Sequence, residues 1–306
     1  MKKIVALLLA LLLVVCCFAG CAKIQPAETA KPDPESIDDS KKGEKPVKET
    51  PIPDLTVAIS PDFAPMEFVD TTKTGQDQYV GFDVMLAKYI AQEMGRNLVI
   101  KPMSFDACQA AVQTGTVDMS ISGFSVTAER AENYNLSDYY YAGDNETEQS
   151  IITLKENEGK WTKAEDFAGK IVGAQTASLQ MNLCNEQLPD SVTIKEFSDI
   201  GTAVEALRNG NIDALAVAKG NGDAIIANND ALAFTGFEFE VSEEAENNVI
   251  LMKKGNDELT RQVNEILAKA LAEGLYGPWY EEAKKLAGIE TSAEVGYDDQ
   301  GEVAGD

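Results

Sequence analysis

Residues 115–130, GTVDMSISGFSVTAER, gather in one short stretch the groups that can receive a carboxylate. Val117, Met119 and Ile121 alternate with Asp118, Ser120 and Ser122, a period of two that predicts a strand with unlike faces, ending at Gly123. Ser125 and Thr127 follow where a helix cap is expected, and Glu129 and Arg130 fall in the first turn. Free N–H groups at a helix start favour anions, and a guanidinium fork can grip both oxygens of one carboxylate. Taken alone, the same residues are also satisfied by a helix cap followed by a surface arginine.

The rest of the composition narrows the chemistry. The chain has no histidine, which excludes His-based triads and the common zinc sites, and nothing in it calls for a metal or a cofactor. Acid–base work would fall to Asp62 or Asp223, neither with an obvious partner. Cys108 and Cys184 lie in helical patterns far apart, so a disulfide is possible without being indicated. A formal charge of -25 argues against nucleic acid and against an anionic membrane held by charge.

The two ends are not core. Lys2 and Lys3 precede an apolar run from Ile4 to Phe18, a secretion signal over residues 1–20 that is too short for a membrane span. Phe18-Ala19-Gly20-Cys21 resembles a bacterial lipobox, with phenylalanine where leucine is usual, and implies that Cys21 is lipidated after cleavage. Two acyl chains give a stable anchor where one is marginal. Residues 21–53 are rich in proline and charge and read as a disordered tether, and residues 289–306 as an acidic tail.

Between them the elements alternate, as an α/β chain requires. Leu55 to Ile59 reads as a strand running into Ser60-Pro61-Asp62-Phe63-Ala64-Pro65, where two prolines put Phe63 on a loop. A helix capped by Asp83 buries Phe82, Leu86, Ile90 and Met94, and a second, capped by Ser104, buries Phe105, Cys108 and Val112. Thr162 and Glu165 form a capping-box pattern, and a strand over residues 170–174 leads through Ser178 into another helix. The run around Gly210-Asn-Ile-Asp213 repeats that around Gly115-Thr-Val-Asp118 95 residues later: helix, glycine stop, apolar residue, aspartate, strand. If the repeat is real, the chain holds two α/β lobes of like design with a ligand between the carboxyl ends of their strands.

Ser60-Pro-Asp-Phe-Ala-Pro65, Val80-Gly-Phe-Asp-Val84, the loop over residues 123–130, Leu136-Ser-Asp-Tyr-Tyr140 and Gly210-Asn-Ile-Asp-Ala214, in this order, resemble the extracellular solute-binding proteins of polar amino-acid ABC transporters. The resemblance covers about residues 55–287 and implies a type II periplasmic-binding fold, two α/β lobes joined by two hinge strands. Lobe 1 would comprise residues 54–145 and 243–288, and lobe 2 residues 146–242. It implies that Phe63 stacks on the ligand, Gly123 offers its carbonyl to an amine, Ser125 and Arg130 hold a carboxylate, and Ser178 adds a backbone N–H. Ser60, Phe105 and Ala218 complete the expected ligand-binding set. At Ala218 the family usually has an aspartate that pairs with the ligand's amine, so this chain departs from the pattern. Asp118 and Asp213 are expected to be structural. The expected partners are a small amino acid or related carboxylate, an ABC permease and the membrane, reached through the lipid anchor by a monomer. An enzyme on the same fold and a tethered sensor are the competing classes.

Overall fold

The computed structural model describes residues 51–141 and 148–289. The expected signal segment, Cys21, nearly all of the tether, part of the first crossing and the acidic tail lie outside them.

The first stretch forms β1 (Asp54–Ile59), β2 (Asp62–Phe63), β3 (Glu67–Val69), β4 (Tyr79–Val80), α1 (Phe82–Glu93), β5 (Asn97–Pro102), α2 (Phe105–Thr114), β6 (Met119–Ser125), α3 (Ala128–Asn133) and β7 (Tyr134–Leu136). The second forms β8 (Gln149–Leu154), β9 (Ile171–Gln175), α4 (Leu179–Gln187), β10 (Thr193–Phe197), α5 (Ile200–Arg208), β11 (Ala214–Ala218), α6 (Lys219–Ala227) and β12 (Leu232–Phe239). The chain then returns to the first sheet as β13 (Asn248–Lys253), followed by α7 (Asp257–Ala272) and α8 (Tyr276–Leu286).

Two five-stranded sheets result, ordered β5-β1-β6-β13-β7 and β10-β9-β11-β8-β12, each the centre of one α/β lobe. Both follow one plan. Three strands run parallel, joined by helical crossovers, and the fourth is antiparallel to its neighbours. Each sheet is covered on both faces: Leu55, Val57 and Ile59 of β1 pack with α1, α7 and α8, while Ala58 packs on the side of α2. Likewise Ala214 and Ala216 of β11 face α4, and Leu215 and Val217 face α5.

The internal repeat has a shared structural cause. Asp118 Oδ2 accepts the Thr56 N–H at 2.8 Å, beside Arg96, and Asp213 Oδ2 accepts the Ile171 N–H at 2.8 Å, beside Lys170. In each lobe an aspartate just before the third parallel strand ties down the neighbouring strand near its start, at the third residue of β1 and the first of β9.

Several local expectations need correction. Gly81, not Asp83, is the N-cap of α1; its φ is 117°, and a Cβ there would come within 2.3 Å of the Met66 carbonyl oxygen. Asp83 is instead fully buried and points at β6. Phe63 lies in an edge strand two residues long, which its flanking prolines tolerate because β2 pairs on one side only. Ser104 is the N-cap of α2 as expected, but its hydroxyl donates to Asp106 at 2.6 Å and accepts no helix N–H. Asp166, not Glu165, accepts the Thr162 and Lys163 N–H groups. β6 begins at Met119, leaving Val117 outside, and passes through Gly123 to Ser125. It does so by a bulge: its pairing with β13 shifts register between Val249 and Leu251, opposite Gly123, whose φ is 53°.

Candidate functional site

A pocket lies where the carboxyl ends of both sheets meet. From lobe 1, Ser122, Gly123 and Ser125 come from β6, Arg130 from α3, Phe105 from α2 and Phe63 from β2; from lobe 2, Gln175 ends β9, and Ser178, Leu179 and Gln180 open α4. The bulge in β6 is what lets consecutive residues, Ser122 and Gly123, line the same wall. Strict alternation would have turned one of them away.

Arg130 sits in the first turn of α3, where the Thr127 hydroxyl accepts its backbone N–H at 3.2 Å. The side chain is 3 % exposed. Nη1 donates to the Ser125 carbonyl at 2.7 Å, Nη2 crosses to the Ala177 carbonyl at 3.0 Å, and Nε donates to Gln109 Oε1 at 3.3 Å. Its guanidinium carbon lies 5.4 Å and 5.2 Å from the ring centres of Phe105 and Phe124, themselves stacked at 4.7 Å. Arg130 is therefore a buried cation held by rings and carbonyls, not a surface arginine. Ala177, its partner in lobe 2, has a φ of 61°, a conformation few residues other than glycine adopt, and this aims the Ala177 carbonyl back across the cleft.

The structure brings together Phe63, Phe105, Gly123, Ser125, Arg130 and Ser178, and leaves Ser60 and Ala218 off the lining. Ser60 is buried, its hydroxyl turned to Asp62 at 2.8 Å and its N–H donating to Ser122 Oγ at 3.0 Å. Ala218 ends β11 as a fully buried residue opposite Gln149 in register and also caps α6, so its methyl group faces packing. Ser178 lines the pocket, but its N–H donates to the Gln175 carbonyl at 3.2 Å and its hydroxyl accepts the Met181 N–H at 3.1 Å. The N–H expected of Ser178 is thus engaged in its own turn, and the next N–H groups of α4 are nearer to hand.

Neither Asp62 nor Asp223 lines the pocket. Asp62 Oδ2 accepts the Ile200 N–H at the start of α5 at 2.7 Å and Gln175 Nε2 at 3.1 Å, and burial raises its pKa above the ordinary value. Its carboxylate joins the lobes. Ser122, Gln175, Leu179 and Gln180 are lining residues that the sequence did not single out. The rule that ligands sit beyond carboxyl ends of strands points to Gln175, which ends β9; the others depend on the bulge and on the orientation of α4.

Cys108 and Cys184 are free and buried in separate lobes, and burial raises both thiols, Cys184 to about 12. Among the described residues no cluster of His, Cys, Asp and Glu is arranged to hold a metal ion, and no helix is long and apolar enough to cross a membrane.

Two lobes of this plan, with the pocket between them, define the type II periplasmic-binding fold. A solved structure of the amino acid ABC transporter substrate-binding protein AbpA from Streptococcus pneumoniae, bound to L-arginine, matches with a TM-score of 0.70 at 33% identity, covering 78% of this chain and 97% of that one. The L-cystine-binding protein TcyJ of Escherichia coli is 27% identical over 222 residues, 72% of this chain and 78% of that protein. The arginine-binding extracellular protein ArtP of Bacillus subtilis is 28% identical over 214 residues, 70% of this chain and 79% of that protein. Residues 55–283 match the family model, and the chain belongs to the bacterial extracellular solute-binding proteins, family 3.

Proposed function

We propose that this chain is the solute-binding component of an amino-acid ABC importer. It captures a small amino acid or related carboxylate outside the cytoplasmic membrane and hands it to the permease. The observation that carries this is Arg130: a buried guanidinium on the pocket wall, reaching carbonyls of both lobes at 2.7 and 3.0 Å, in a family whose named relatives bind amino acids. In the liganded cleft Arg130 and Ser125 hold the carboxylate, Phe63 and Phe105 wall the ligand's body, and the Gly123 carbonyl receives its amine. The first turn of α4, at Leu179 and Gln180, supplies the lobe 2 contact in place of the Ser178 N–H. The role is binding and not catalysis, because Asp62 serves the lobe contact and Asp223 lies off the pocket.

In this reading lobe 1 is residues 54–145 with 243–288 and lobe 2 is residues 146–242, hinged where the chain crosses twice. Cys21, lipidated, anchors a monomer to the outer face of the membrane. A thermal-shift screen of the full chain against L-arginine, L-cystine, the other amino acids and di-acids tests the function. A ligand at 100 times its Kd stabilises by about 2.7 kcal/mol, and a panel without any shift sinks the proposal.

A further inference from the structure

Directly behind the pocket wall two acids are fully buried, Glu67 on β3 and Asp83 on α1. The Ser60 N–H donates to Ser122 Oγ at 3.0 Å, and the Ser122 hydroxyl donates to Glu67 Oε1 in a short contact. Asp83 Oδ2 accepts the Gly123 N–H at 2.8 Å and the Tyr140 hydroxyl at 3.1 Å. The remaining oxygens, Glu67 Oε2 and Asp83 Oδ1, are buried and make no hydrogen bond, and the negative charge of Asp83 opposes ionisation of Glu67. Two carboxyl groups buried without a counter-charge, each with an oxygen left unpartnered, do not both ionise, and a proton kept by one of them supplies the missing donor. Neither acid belongs to an ion pair among the described residues.

We propose that Glu67 and Asp83 are positioning residues for the binding site: one proton shared between them fixes Ser122 and Gly123 on the pocket wall, and when it leaves, the wall and the ligand are released. This rests on the reading of that pocket as an amino-acid site. Glu67 carries the proton, accepting from Ser122 and donating to Asp83, which two further donors stabilise as the anion. The chain of contacts joins Ser60 just beyond β1, β3, α1, β6 and Tyr140 into one support for two adjacent lining residues.

The charges around the pair agree. Asp62 on β2 and Asp83 both oppose ionisation of Glu67, and the Cys108 thiol of α2 feels the same negative field. Burial above all, then Asp83, holds Glu67 well above the ordinary carboxylate range; burial raises Asp83 to about 6. The two titrate as a unit. Raised values in the folded state mean that the pair's contribution to stability is full below the unfolded values of 3.8 and 4.5 and is lost as pH rises through the folded ones.

The test follows the Gly123 amide resonance in the full chain from about pH 5 to about pH 10, beside calorimetric titration with L-arginine and the other standard amino acids as probes. The expected result is a Gly123 shift that titrates, with affinity for a bound probe falling about tenfold for each pH unit above the pair's upper pKa. Glu67→Ala should weaken the probe at every pH. Glu67→Gln, whose amide can donate to Asp83 and whose carbonyl can accept from Ser122, should rescue binding and flatten both profiles. A Gly123 resonance that stays fixed while the chain remains folded overturns the proposal, as does a titrating resonance with pH-independent affinity. If no probe binds, the amino-acid reading of the pocket falls, and the Gly123 titration in wild type against Glu67→Gln still decides whether the proton holds the wall.

Discussion

Arg130 takes part in the site in two ways, through the pocket and through the Ala177 carbonyl of the opposite lobe. Losing one partner of a buried, charged hydrogen-bonded pair costs about 2 to 5 kcal/mol, so Arg130→Ala should weaken binding by well over tenfold. Arg130→Lys should not restore it, because a single ammonium cannot replace a fork that reaches Ser125, Ala177 and Gln109 at once. Calorimetry on the best ligand from the screen decides, and unchanged affinity in either variant removes Arg130 from the site. At this scale the sequence spoke clearly where a residue type can do only one thing in its setting. Arg130, three residues beyond the cap signal at Thr127, was legible; the direction of the Ser60 hydroxyl and the Ser178 N–H was not, because each turns to a neighbour two or three residues away through local turn geometry.

The paired aspartates belong to the scale of elements. Asp118 and Asp213 each accept the backbone N–H of a residue in a neighbouring parallel strand, and each stands beside a cation. A hydrogen bond to a charged group contributes about 1.5 to 3 kcal/mol, and both carboxylates are partly exposed, which sets the expectation at the low end. Asp118→Ala and Asp213→Ala should each destabilise by about 1 to 2 kcal/mol and add in the double variant, since they lie in different lobes. Urea titration reads this as a lowered midpoint. A midpoint unmoved in both single variants would show that the repeat has no energetic meaning. The repeat was visible in sequence because helix stop, aspartate and strand are local signals. The bulge at Gly123 was not, since register is set against β13, a strand that joins the sheet only after the chain has built the second lobe.

For the whole molecule, Cys21 and the relation of the lobes matter most. Fractionation of cells carrying Cys21→Ser should find the protein uncleaved or released from the membrane; retention with normal cleavage would end the lipoprotein reading. The lobes meet through Asp62 to the Ile200 N–H at 2.7 Å, Asn221 to the Ala64 carbonyl at 3.0 Å and Arg130 to the Ala177 carbonyl at 3.0 Å, with Phe63 packed against core residues of both. None of these partners is near another in sequence, so only the α/β plan, and not the latch, could be read in advance. The Asn221 contact leaves the pocket lining untouched, whereas Asp62 also accepts from the lining residue Gln175 at 3.1 Å, so Asn221→Ala alone reads closure without disturbing the site. A neutral hydrogen bond contributes about 1 kcal/mol and one to a carboxylate about 1.5 to 3 kcal/mol, so Asp62→Ala with Asn221→Ala should shift the closed-to-open ratio by tenfold or more. X-ray scattering should then show a larger radius of gyration without ligand, and saturating ligand should return it to the wild-type value at a higher ligand concentration. Equal radii and equal affinity in wild type and double variant would mean that these contacts follow closure and do not hold it.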